Sequence, residues 1–393
     1  MSSYNNIPQI KIGNGKGRHL EGSLILGGMG VGVTQSVITS AVSDEGGIPM
    51  IASVGLGVLN GHFEEEKRKD RNRLTNATDR EVRKAILGEL YTRANQYALR
   101  DQIRKARSLT NGILGVNIMH ALSDYSGLVQ TAVEENIDII ISGAGIPRDL
   151  PSYLNGKDIK LVPIVSSGRL VKMICKAWGN LGHLPDAIVI EGPKAGGHLG
   201  YSREDLDNPE FVANGLEGIV REVVEILNPS NGEKPYGNIP VIAAGGIFYG
   251  GDIKKFNELG AAGVQMATRF VTTYECDADI KFKQAYLDCK PEDLRIINSP
   301  VGMPGRAITN PFLRAAEAGE KTPIHCPYHC LKTCKPEESP YCIARALVEA
   351  QQGKFTNGYV FAGANAWRCN EIVSVREVFE SLNQEYAENK KSD

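Results

Sequence analysis

The sequence predicts an α/β protein: a (β/α)8 TIM barrel with a helical insertion after strand 2 and a C-terminal extension. Three observations point there. Eight short apolar runs recur between residues 23 and 266. They are continuous rather than alternating, as strands covered on both faces are. Helix-patterned stretches separate them, and the units together fill about 250 residues, the usual size of such a barrel. An open, doubly wound sheet is the competing architecture. The barrel is assigned to residues 1–270 and the extension to 271–393.

Taken in order, residues 1–22 are polar and Gly-rich and are expected to wrap the body. The predicted strands are 23–26, 48–52, 113–118, 138–142, 160–165, 186–190, 240–244 and 262–266. Helical spacing covers 34–44, 123–136, 168–181, a stretch near 209–227 and another ending at Leu259. A short helix opening at Pro147 is expected over 147–157, and a final helix near 374–388. The insertion, about 60–108, begins with the mixed-charge run EEEKRKDRNR. Thr78-x-x-Glu81 then reads as a capping box. Beyond it Ile86, Leu90, Ala94, Tyr97 and Ala98 fall near one helical face. That face is modest and both charge signs flank it, so a helix packed on the body is preferred to a membrane-surface helix.

Composition narrows the function classes. The 393 residues carry 44 basic and 46 acidic side chains, a formal charge of -2. No basic patch interleaved with aromatics occurs, which argues against nucleic acid as a partner. No apolar run reaches the roughly 18 residues of a membrane span. MSSYNNIPQI has no basic segment followed by an apolar core, so no secretion signal is expected. Eight cysteines in that context predict a reducing, cytoplasmic location.

In such a barrel the chemistry lies at the C-terminal ends of the strands. Those ends carry Gly28, Met29 and Gly30, then Asn117, Ser142, Glu191 to His198, Ala244 to Gly246, and Ala267 and Thr268. The set is glycine-rich with one imidazole, and suits a flat ligand held by backbone. The centre is Glu191–Gly200, EGPKAGGHLG. Gly196 and Gly197 lack Cβ atoms just before His198, so a ligand can approach the backbone closely. The imidazole of His198 suits proton transfer near neutral pH. Barrels often bind phosphate at the loops after strands seven and eight. Here these are Ala244-Gly245-Gly246 and Ala267-Thr268. The lone Gly27-Gly28-Met29-Gly30 lacks the spacing of a dinucleotide fingerprint.

The segments GGMGVGVTQS, GVNIM, ISGAG, PIVSS, EGPKAGGHLG, PVIAAGGI and GVQMATRF occur in this order over about residues 22–272. Together they resemble the FMN-dependent nitronate monooxygenase family, once called 2-nitropropane dioxygenase, which includes the FMN-dependent bacterial enoyl-acyl-carrier-protein reductases. The resemblance implies FMN as cofactor. Met29 and Gly30 would lie against the flavin and Asn117 would bond to it. Glu191 and Gly197 would line its ribityl side, and Gly245, Gly246 and Thr268 would hold its phosphate. His198 matches the family's catalytic histidine. It would serve as base toward a nitro-activated carbon in an oxygenase, or help deliver a proton in an NAD(P)H-dependent enoyl-thioester reductase. The shared site does not choose between these. The insertion and the extension depart from the compact reductases, and both could cover the substrate entrance. A flavin-free phosphate-binding isomerase or lyase, and a non-catalytic flavin carrier, are the readings from other classes. The partner expected is a small molecule, and a homodimer is admitted.

Cys326, Cys330, Cys334 and Cys342 cluster in the extension with His325 and His329. Four close thiols can bind zinc or an iron–sulfur cluster. The C-x3-C-x3-C-x7-C spacing is not a common zinc pattern, and Pro327 and Pro336 oppose a regular helix, so buried or free thiols are the alternative. Cys175, Cys276, Cys289 and Cys369 read as ordinary small apolar residues. Lys194 is either a phosphate contact or a surface lysine. Tyr249 either flanks the flavin or packs on the rim. Asn365 and Arg368, in FAGANAWR, either reach back over the site, since glycine and alanine there allow close approach, or pack the tail, which is the preferred reading.

Overall fold

The structure is a computed structural model. It describes residues 6–13, 17–229, 235–320, 326 and 328–392. Eight parallel strands make one sheet: β1 Ile25–Leu26, β2 Met50–Ala52, β3 Gly115–Met119, β4 Ile139–Gly143, β5 Lys160–Val165, β6 Ile188–Glu191, β7 Val241–Ala244 and β8 Gly263–Met266. The strands neighbour one another in chain order, and β8 returns to β1 through Gln265 opposite Ile25. Beside β1, the Leu26 N–H donates to the Ile48 carbonyl at 2.9 Å and the Ile48 N–H to the Leu24 carbonyl at 2.8 Å. These two bonds close the ring, so the barrel prevails over the open sheet.

Both faces of every strand are buried, which explains the continuous apolar runs. Ile139, Ile141, Val162, Val189 and Ile242 fill the barrel interior, while Ile140, Leu161, Ile188 and Ile190 pack outward on the helices. A hairpin of Ile10–Ile12 and Leu20–Gly22 plugs the far end, with Ile10, Ile12 and Leu20 in the inner core. The expected wrapping N-terminus is thus a stopper.

The insertion is dominated by one helix, Arg80–Leu109, which buries Ile86, Leu90, Tyr91, Ala94, Ala98, Leu99, Ile103 and Ala106 along one side. Its cap corrects the capping-box expectation. Asp79, not Thr78, accepts from the Glu81 and Val82 amides, at 2.9 Å each. The expected helix over 147–157 is also corrected, because only a 3-10 turn, Leu150–Tyr153, forms. Pro151 removes an amide donor, and Asn155 and Gly156 enter the left-handed region at φ 50° and 80°.

The extension forms its own antiparallel strands: β9 Leu294–Asn298, β10 Pro304–Ile308 and β11 Val360–Phe361. The free edge of β10 pairs with the barrel loop, Gly305 opposite His198 and Arg306 opposite Gly197. Asp277 caps the barrel helix Ser36–Asp44 in place of Gln35, accepting from the Gln35 amide at 2.9 Å and the Val37 amide at 3.3 Å. The last helix, Val375–Glu388, lies so close to the helix Gly250–Glu258 that a Cβ at Gly250 would meet the Leu382 backbone. Among the described residues no helix is long and apolar enough to cross a membrane.

Candidate active site

A cavity of about 420 Å³ opens at the C-terminal ends of the strands. Its wall includes Gly28, Met29, Gly30, Asn117, Glu191, Gly196, Gly197, His198, Ala244, Gly245, Gly246, Ala267 and Thr268. Ser142 is not brought there. Its hydroxyl lies 3.3 Å from the Tyr125 hydroxyl behind the barrel wall. The cause is strand parity: Ser142 shares the outward side of β4 with Ile140, and Gly143 reaches the cavity instead.

His198 is held from two sides. Its backbone is a short strand on β10. Its Nε2 lies 2.7 Å from the Ser299 hydroxyl, and its ring meets Phe361 edge-on at 5.0 Å. Burial pushes its pKa down to about 4, so the ring is neutral at physiological pH. Gly197 before it has φ +78°, and a Cβ there would meet no atom within 4 Å. That position faces open space where a flat ligand can lie.

The preceding turn is clamped by Arg306. Its guanidinium donates to the Pro193 carbonyl at 2.6 Å and the Ala195 carbonyl at 2.8 Å. Burial pushes its pKa down to about 10. Glu191 ends β6, and its carbonyl accepts from the Tyr201 hydroxyl at 2.5 Å. Burial pushes its carboxyl up to about 7.

Gly245 and Gly246 have φ +95° and +83°, which only glycine adopts without strain. The Gly246 carbonyl accepts from the Asn365 amide at 2.7 Å, so Asn365 does reach back over the site. A Cβ at Gly363 would sit 2.7 Å from the Thr268 hydroxyl. Met303, Leu331, Ile343, Leu347, Phe361 and Gly363 also face the cavity, all from the extension, and Tyr91 does so from the insertion. Sequence reasoning missed these, as well as Ser299 and Arg306. The local signals were the Pro- and Gly-rich stretch SPVGMPGRA and the small residues of FAGANAWR. Tyr249 is not among the wall residues; it packs on the rim under Arg368 and Lys390.

The cysteine quartet borders a second cavity of about 20 Å³ with His329. Cys326, Cys330, Cys334 and Cys342 are free thiols. Among the described residues no group of three His, Cys, Asp or Glu side chains is set to hold a metal ion, which departs from the metal expectation as the side chains stand. The His329 amide donates to Cys326 Sγ at 3.3 Å. Burial, and then the neighbouring thiols, pushes the Cys330 pKa up. Cys330 walls both cavities. His325 lies outside the described residues. Cys175, Cys276, Cys289 and Cys369 are buried, as small apolar residues are.

Comparison with known proteins gives the family and the fold. Residues 19–385 match the family model described as nitronate monooxygenase. A probable nitronate monooxygenase of Staphylococcus aureus (strain Newman) is 26% identical over 298 residues, covering 75% of this chain and 77% of that protein. A 5-hydroxy-7a-methyl-1-oxo-octahydro-1H-indene-4-carboxyl-CoA dehydrogenase of Rhodococcus jostii is 26% identical over 219 residues, 56% of this chain and 54% of that protein. The chain thus spans little more than half the length of that relative. The structure of FabK from Thermotoga maritima superposes with a TM-score of 0.65 at 26% identity, covering 93% of this chain and 92% of that one. Nitroalkane oxidase from Streptomyces ansochromogenes shares the fold, with a TM-score of 0.65 at 19% identity over 93% of this chain and 96% of that one.

Proposed function

The chain belongs to the nitronate monooxygenase family of oxidoreductases, and from that premise we propose that it is an FMN-dependent enzyme oxidising alkyl nitronates or similar carbanions, with His198 as general base. The observation that carries this reading is a buried imidazole, neutral at pH 7, facing a glycine-lined cavity. The residues fit a flavin. The space beside Gly197 admits a flat ligand, and the glycines at 245, 246 and 363 let the loop backbone lie close against Ala195, Lys194 and Thr268 at the cavity wall. Met29, Gly30 and Asn117 would lie against the ring system, Glu191 and Gly197 along the ribityl chain, and Gly245, Gly246 and Thr268 around the phosphate. When bound, FMN supplies the electron or hydride transfer.

The chain's own groups govern the proton. From a neutral nitroalkane His198 accepts it at the carbon beside the nitro group, which leaves the nitronate that is then oxidised, and the Ser299 hydroxyl orients the accepting ring. Phe361 and the apolar wall of the extension exclude water and so strengthen that contact. Oxygen uptake driven by a nitronate, without nicotinamide, tests the reading. Loss of that activity in purified flavin-loaded enzyme rejects it.

A second reading, an NAD(P)H-dependent enoyl-thioester reductase, draws support from the apolar wall of Met303, Leu331, Ile343 and Leu347, which suits an acyl chain. His198 is a poor proton donor there because burial keeps it neutral, whereas Glu191, near 7, holds a transferable proton. Reduction of a crotonyl thioester by NADH or NADPH separates the two.

We also propose that the cysteine quartet takes up zinc or an iron–sulfur cluster once its side chains turn inward. Four thiols on one small cavity carry this reading. Metal and acid-labile sulfide analysis of freshly purified protein tests it, and a metal-free protein rejects it.

A further inference from the structure

We infer that Lys194 is the counter-charge of the cofactor's phosphate dianion, an assignment that rests on the FMN reading above. Lys194 is half-buried and walls the large cavity. Its stem runs along the Gly246 turn: a Cβ at Gly246 would lie 2.7 Å from Lys194 Cβ and 2.9 Å from its Cδ. The lysine therefore crosses the seventh-strand loop, where barrels bind phosphate.

Its backbone is fixed from the far side. The Lys194 carbonyl accepts from the Ala364 amide at 3.0 Å, which ties it to the turn that carries Gly363. Gly363 in turn faces the Thr268 hydroxyl. Lys194, the Gly245-Gly246 turn and Thr268 thus border the same cavity. Among the described residues no carboxylate pairs with that ammonium. A cation in a partly desolvated wall is best satisfied by an anion, and phosphate is the anion that amides and hydroxyls also accept. The placement makes Lys194 part of the cofactor site and gives the extension a share in it.

The test is flavin binding, read apart from turnover. Apoprotein is titrated with FMN and with riboflavin, which lacks the phosphate, and binding is followed by quenching of flavin fluorescence. Lys194→Met is expected to raise the Kd for FMN by about 10- to 100-fold, the worth of one charge-assisted hydrogen bond, and to leave riboflavin within about twofold. Lys194→Arg keeps most of the FMN affinity. Raising salt weakens FMN binding in the wild type more than in Lys194→Met, a readout that needs no comparison of fold stability.

Equal losses for both flavins in Lys194→Met would make the lysine structural and overturn the assignment. Unchanged FMN affinity with a raised KM for a phosphate-bearing substrate would move it to that substrate and overturn it as well. A wild-type apoprotein that binds neither flavin sinks the FMN reading itself, and this assignment with it.

Discussion

His198 Nε2 lies 2.7 Å from the hydroxyl of Ser299, joining the sixth barrel loop to a segment 101 residues further along the chain. Through that contact the extension sets the orientation of the ring facing the cavity. Ser299→Ala removes it without touching the backbone pairing of Gly305 with His198. Turnover is expected to fall about tenfold with flavin retained, the scale of one lost orienting hydrogen bond. Ser299→Thr, which keeps the hydroxyl, restores most of it. Steady-state kcat and the flavin absorbance of the same preparations check both statements.

His198→Ala removes the proton acceptor itself. Flavin binding is expected to persist, and turnover of the neutral nitroalkane, whose proton must be removed, to fall by about 10²–10⁴, the usual contribution of general acid–base catalysis. The measurement is kcat at matched flavin content. A protein that loses its flavin would instead make His198 a structural residue of the loop.

Why some of this was readable in the sequence and some was not follows from the range of the interactions. β3 to β8 were legible because burial on both faces leaves continuous apolar runs such as IDIIIS, and the glycines of AAGGI and AGGH mark turns that only glycine makes. Ser142 was misplaced because its position at a strand end was read without its parity. The capping box failed because Asp79 and Thr78 are both good caps and only geometry selects between them. Ser299, Met303 and Arg306 lie in SPVGMPGRA and Gly363 in FAGANAWR, but neither stretch has a periodicity that says which loop it will face. They reach the site by strand pairing across about a hundred residues or more, which no periodicity records.

The two buried titratable groups give opposite pH signs. His198 is held near 4 against an ordinary 6.5, and Glu191 near 7 against 4.5. For catalysis, the base is neutral and active from about pH 5 upward, and its acid limb falls as pH drops toward about 4. For folding, an unfolded chain protonates His198 between 6.5 and 4 while the native one does not, so stability falls as pH drops through that window. Native Glu191 keeps a proton that the unfolded chain has lost between 4.5 and 7. Its contribution is therefore full below 4.5 and disappears as pH rises through 7. Glu191→Gln should abolish the second slope and leave the first. Thermal unfolding of ligand-free wild type and variant between about pH 3 and 8, spanning about one unit beyond these values, measures both. Parallel curves for the two proteins would contradict the buried placement of Glu191.

Arg306 makes the strongest demand on stability. The residue is 6% exposed, its guanidinium satisfies the carbonyls of Pro193 and Ala195, and its own backbone pairs with Gly197. In Arg306→Met a similar volume remains, but both carbonyls lose their donor inside the protein. A buried acceptor left unpaired costs about 1–3 kcal/mol, so the pair predicts a loss of about 2–6 kcal/mol in urea unfolding. Removing a buried charge returns part of its desolvation cost, which places the expected value at the lower end of that range. The same change frees the turn that precedes His198, so kcat should fall even where the variant remains fully folded. Arg306→Lys reaches one carbonyl as a point charge and should lie between the two proteins on both measures. An Arg306→Met variant with wild-type stability and wild-type kcat would mean that the 193–197 turn is held by the barrel alone, without the extension.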